Sequence, residues 1–109
     1  MAYDETLANR VRETLAGQPG LTERKMFGGI AFMLNGNMCC GIIKDELMVR
    51  IGAVKHEAAL AQSQVRPMDF TGRPMKGMVM VGAEGLHSDL ALRGWVEQGV
   101  EYAASLPAK

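Results

Sequence analysis

Few residues in this 109-residue chain could do covalent or metal chemistry, and they are thinly spread. Its two cysteines are adjacent at Cys39 and Cys40, and its two histidines, His56 and His87, fall in different segments. His56-Glu57-Ala58-Ala59-Leu60 opens like the zinc-protease helix, where a second histidine one turn later shares the metal; here that position is Leu60 and the pattern fails. Adjacent cysteines do not have C-x-x-C spacing, so no metal and no other cofactor is expected. Consecutive strand residues point to opposite faces, which makes the two thiols reduced, inert strand residues. Cys40 is the redox candidate against that plainer reading, although apolar surroundings push a thiol pKa upward.

Other patterns fail on geometry. His87-Ser88-Asp89 has the side-chain types of a hydrolase triad, but consecutive residues cannot converge on one proton-transfer line, and Ser88 reads as a helix cap. Gly36 to Gly41 and Gly72 to Gly77 have the glycine spacing of a phosphate loop. Ile42-Ile43 and Met78-Val79 stand where Lys and Ser/Thr are required, and both loops lead into strands. No catalytic residue is expected. Positive charge gathers where Arg66, Arg73 and Lys76 face only Asp69, and these three cations are the candidate binding residues, for an anion or a partner. Arg24, Lys25 and Arg50 flank strands that could be neighbours and extend such a patch; a solvated sheet rim is the plainer alternative.

The elements that must position these residues follow from periodicity. Asp4 caps a helix with Leu7, Val11 and Leu15 on one stripe, stopped by Gly17, Pro19 and Gly20. Arg24 to Phe27, Ile30 to Leu34, Met38 to Ile43 and Leu47 to Ile51 read as four strands of a meander. Asn35-Gly36-Asn37 makes the sharpest turn, with positive φ expected at Gly36, and Lys44-Asp45-Glu46 makes the next. Val54 to Ala61 is a short helix with Val54, Ala58 and Ala61 inside and Lys55, His56 and Glu57 outside. Val65 to Phe70 and Lys76 to Val81 are two further strands. Ser88 caps a final helix whose stripe is Leu92, Trp95, Val96, Gly99, Ala103 and Leu106, with Trp95 buried. This order, α-β(3 or 4)-α-β(2)-α, predicts a two-layer α+β fold: one antiparallel sheet with helices on one face.

At 11.8 kDa, 48% hydrophobic and 22% charged, the chain fits a single domain, 1–109. Nine methionines against six aromatic residues describe a core filled by flexible thioethers, with an adaptable binding surface as the alternative. Twelve basic and twelve acidic residues cancel, so the field that drives nonspecific nucleic-acid association is missing and direct DNA binding is not expected. No apolar stretch approaches the roughly 20 residues that span a bilayer, nor does the N-terminus read as a secretory signal, so a cytoplasmic protein without membrane contact is expected. A homodimer is expected as well, since such folds pair through sheet or helix surfaces.

RKMFGGIAFMLNGNMCCGI, LMVRIG and MDFTGRPMKGMVMV, taken with the late helix bearing Trp95, resemble the N-terminal domain family of the TfoX/Sxy competence regulators, particularly its short single-domain members. The likeness runs from about Arg24 to Pro107. It implies a fold similar to the secretion-chaperone-like arrangement and names no catalytic residues; Cys40 falls where short members often carry cysteine. Two-domain competence regulators assist the cyclic-AMP receptor protein, so the resemblance implies a nonenzymatic regulatory or protein-binding module, its partner an unidentified protein, with the transcriptional machinery as the class suggested. A small-molecule or anion-binding domain using the Arg66, Arg73 and Lys76 region is the alternative reading, and a thiol-redox protein using Cys40 a third.

Overall fold

The computed structural model describes residues 3–26, 28–67 and 77–108. Helix α1 (Glu5–Thr14) starts where the Asp4 side chain accepts the Leu7 N–H at 3.1 Å, and it buries Leu7, Ala8 and Val11. Four strands follow as a meander: β1 (Leu21–Met26), β2 (Gly29–Leu34), β3 (Asn37–Ile43) and β4 (Glu46–Arg50). Helix α2 (Ala53–Leu60) leads to β5 (Val65–Pro67), β6 (Met78–Val81), a short 3-10 turn at Ala83–Leu86, and α3 (Asp89–Ala104). All paired strands are antiparallel, in the order β1-β2-β3-β4-β6-β5. The α+β class and the single helix-bearing face of the sheet therefore agree with the sequence pattern.

The β2–β3 reversal is a two-residue turn, because Leu34 pairs with Asn37 and only Asn35 and Gly36 lie between. Both have positive φ, 51° and 84°, the backbone twist that matches right-twisted strands. Asn37 is itself buried; its side-chain amide donates to the Pro107 carbonyl at 2.9 Å, fastening the C-terminal tail to the hairpin. Ser88 caps α3 by accepting the Ala91 N–H at 3.0 Å, and α3 lays Leu92, Trp95, Val96, Gly99 and Ala103 over β3 and β4. Leu106 lies beyond the end of the helix and is half-buried.

Three expectations are corrected. First, α2 turns a different face inward: His56 and Ala59 are buried, whereas Val54 is 98% exposed. The cause is polar, since His56 Nδ1 accepts the Gly77 N–H at 3.0 Å and so satisfies a buried backbone donor that no aliphatic side chain could. Second, Cys39 and Cys40 do not face opposite sides. Phe32 pairs with Cys40 but Met33 with Met38, leaving Cys39 as the extra residue of a bulge, and both thiols enter the core beneath the helices. Third, Arg24 and Lys25 lie on edge strand β1, with β2 and β3 between them and β4, so they form no patch with Arg50. The expected strand ends at Phe27, Phe70 and Lys76, and the Thr71 to Pro74 turn, lie outside the described residues.

Two apolar clusters result. The larger joins α1 and α3 to the sheet through residues such as Val11, Phe32, Ile42, Val49 and Trp95. The smaller groups Met48, Met78 and Met80 with Met38 and Ile43. Alternation along β4 and β6 separates them: Leu47, Val49, Val79 and Val81 belong to the larger, while Met48, Met78 and Met80 belong to the smaller.

Candidate functional site

Arg66 is exposed on β5 and pairs with Glu46 of β4, a partner that counting neighbours in sequence misses because β6 lies between the two strands. Arg73 and Lys76 lie outside the described residues. Cys40 is fully buried; its contact with the Cys39 thiol, together with removal from water, holds its pKa well above the ordinary thiol value. That is the setting of an unreactive thiol at neutral pH. The His87-Ser88-Asp89 segment resolves into local work: Ser88 caps α3, while Asp89 and the His87 carbonyl both receive the Arg10 guanidinium, tying α1 to the start of α3.

The arrangement best suited to recognition lies where β4 runs out into α2. Gly77, with φ 91°, is the joint: its N–H donates to His56, and its carbonyl accepts from Ile51 N–H at 2.8 Å and Gly52 N–H at 3.1 Å. A Cβ on Gly77 would stand 3.2 Å from the Gly52 carbonyl carbon, so the start of β6 lies tight against the start of α2. Gly52 also has positive φ, 86°, and a Cβ there would strike the Tyr102 ring of α3 at 2.5 Å. Two glycines thus let three elements meet backbone to backbone and backbone to ring.

Beside that junction is a cavity of about 360 Å³ bordered by Met38, Arg50, Gly52, Gly77, Met78 and Tyr102. The Arg50 guanidinium carbon sits 5.4 Å from the centre of the Tyr102 ring, within cation–π range. Arg10, Arg12, Lys55 and Arg66 are each ion-paired; Arg50 has neither an ion pair nor a side-chain hydrogen bond among the described residues. A second cleft, of about 210 Å³, shares Gly52 and Tyr102 with this cavity and is also bordered by Ile51, Val54, Lys55, Glu101 and Ser105. Lys55 and Glu101 bridge it at 3.4 Å.

Arg50 entered the sequence reading only with Arg24 and Lys25, as an extension of an anion- or partner-binding patch. Its position over the Tyr102 ring, 52 residues away, depends on long-range topology, and no local signal marks it. Among the described residues no group of three or more His, Cys, Asp or Glu side chains is placed to hold a metal ion. Among the same residues, no helix is long and apolar enough to cross a membrane.

No curated protein and no solved structure matches the chain. The model of the TfoX N-terminal domain matches residues 13–103, from the end of α1 through all but the last residue of α3. With the strands, the Gly77 joint and the helix carrying Trp95 and Tyr102 all inside that span, the chain belongs to the TfoX N-terminal domain family.

Proposed function

We propose that this protein is a nonenzymatic regulatory module that works by binding another protein. Membership of the TfoX N-terminal domain family supports the class. The observation that carries the reading is Val54, an aliphatic side chain 98% exposed on α2 beside the cleft bordered by Ile51 and Tyr102. A lone exposed apolar residue is ordinary; one adjoining an apolar cleft gives a partner side chain both a contact and a recess. The partner class is a protein of the transcriptional machinery, bound without direct DNA contact, since zero net charge leaves no field for phosphates. The order of helix, meander, helix, strand pair and helix also supports likeness to the secretion-chaperone-like arrangement, and the protein acts in the cytoplasm.

The test is affinity capture from an extract of the source cell with the unmodified chain and with Val54→Glu. Because Val54 is exposed, the variant should retain its thermal stability. A partner retained by the former and lost by the latter places recognition on α2; equal capture by both moves it elsewhere.

A further inference from the structure

The Arg50 cavity has a chemistry distinct from that of the Val54 cleft. We infer that it binds a small free carboxylate with a short aliphatic body, the carboxylate on Arg50 and the aliphatic part against Met38 and Met78. Its volume of about 360 Å³ falls in the range of small-ligand sites. The Arg50 guanidinium carbon lies over the Tyr102 ring, 5.4 Å from its centre, which holds the head group beside the cavity as a donor for a planar, two-oxygen acceptor. Among the described residues bordering the cavity, Arg50 is the one charged side chain, and it is a cation. The beginning of α2 adds to that sign, because Gly52 provides no side-chain cap for the first-turn N–H groups.

The walls exclude other classes. An alkylammonium meets a like charge, whereas a neutral alkane leaves the half-buried guanidinium without a partner. Inorganic phosphate satisfies Arg50 but leaves the methionines uncovered. Methionine, unbranched and polarizable, suits an aliphatic body of variable shape. This assignment concerns a free ligand and goes beyond the protein-binding reading; it stands or falls separately from capture through Val54.

The experiment is an NMR titration of the full chain with hexanoate, hexylammonium, inorganic phosphate and an acetylated dipeptide ending in leucine. Hexanoate should move the Gly52 and Gly77 amides and the Met38 and Met78 methyls along one saturable curve, while hexylammonium and phosphate leave them in place. Arg50→Gln should weaken hexanoate binding by about tenfold or more, and Arg50→Lys should fall between, keeping the charge without the two-pronged geometry. Should Arg50→Gln fail to fold, Arg50→Lys and the order of the four probes on the unmodified chain decide the matter. No hexanoate shift, equal binding of hexylammonium or phosphate, or undiminished binding by a folded Arg50→Gln protein overturns the site. Tighter binding of the dipeptide than of hexanoate overturns the free-ligand assignment in favour of a chain terminus.

Discussion

Glycine brings elements together at two places along α3, with opposite consequences. Near its middle, α3 settles onto β3 at Gly99, where a Cβ would stand 2.5 Å from the Cys39 carbonyl oxygen and 3.2 Å from its Sγ. The bulge that pushes Cys39 toward the helix and the residue with no side chain fit each other, and no space remains. One turn later, Tyr102 lies against Gly52 in the same backbone-close manner, yet the junction there borders two openings and an Arg50 with no acidic partner among the described residues. The first contact seals a core between a helix and one strand. The second joins the ends of β4, β6 and α3, and ends cannot cover one another as faces do. Close approach therefore stabilises at Gly99 and shapes a recess at Gly52.

The largest effect that would break this contrast is at the sealed contact. Gly99→Val should lower stability by about 3 kcal/mol, because the added atoms meet a backbone carbonyl that cannot swing away. Urea unfolding measures it. A loss below about 1 kcal/mol would show that α3 sits less tightly on the bulge than described.

At the open junction, His56→Ala should cost about 1 to 3 kcal/mol by leaving the Gly77 N–H without its acceptor. The same substitution should loosen the Arg50 cavity, so the Gly52 and Gly77 amides should exchange with solvent faster than in the parent. Unchanged exchange would separate the joint from the cavity it borders.

These two sites also show what could be read in advance. The strands, the Asn35-Gly36 reversal, the Asp4 and Ser88 caps and the buried side of α3 all follow from signals within a few residues: alternation, turn chemistry and helical spacing. The inward face of α2 did not. With eight residues and small alanines on several sides, its pattern is weak, and a hydrogen bond to Gly77, 21 residues away, decides its rotation. The bulge at Cys39 was hidden for a similar reason, since Met38-Cys39-Cys40 reads as plain alternation until pairing with β2 reveals the extra residue. Arg66 looked unneutralised because Glu46 lies two strands away in the sheet. Each miss concerns a partner distant in sequence.

A smaller effect distinguishes the thiols within the sealed contact. Contact with Cys39 and burial raise the Cys40 pKa, so the native state holds this proton more tightly than the unfolded chain. The associated stability is fully present below the ordinary thiol value of about 8.5 and is lost as pH rises through the higher native value. Cys40→Ala should therefore lose less stability, relative to the parent, near pH 10 than near pH 7. Under native conditions at neutral pH, iodoacetamide should modify neither cysteine, whereas both should react after unfolding. Rapid native alkylation of Cys40 would revive a redox role for it.

The smallest effect separates Arg66 from Arg50. Both are strand cations, but Arg66 is exposed and faces Glu46, whereas Arg50 is half-buried, lies over the Tyr102 ring and is not ion-paired among the described residues. An exposed ion pair contributes roughly 0 to 1 kcal/mol, because water screens it and ordering two flexible chains offsets the attraction. Arg66→Ala should therefore shift the unfolding midpoint little and leave hexanoate binding unchanged, while Arg50→Gln reduces that binding. If Arg66→Ala instead abolishes hexanoate binding in a folded protein, the ligand's carboxylate sits over β5 and the Arg50 assignment is wrong. If neither substitution changes binding, hexanoate is held by apolar contact alone, and the Arg50 guanidinium over Tyr102 is a structural strut between β4 and α3.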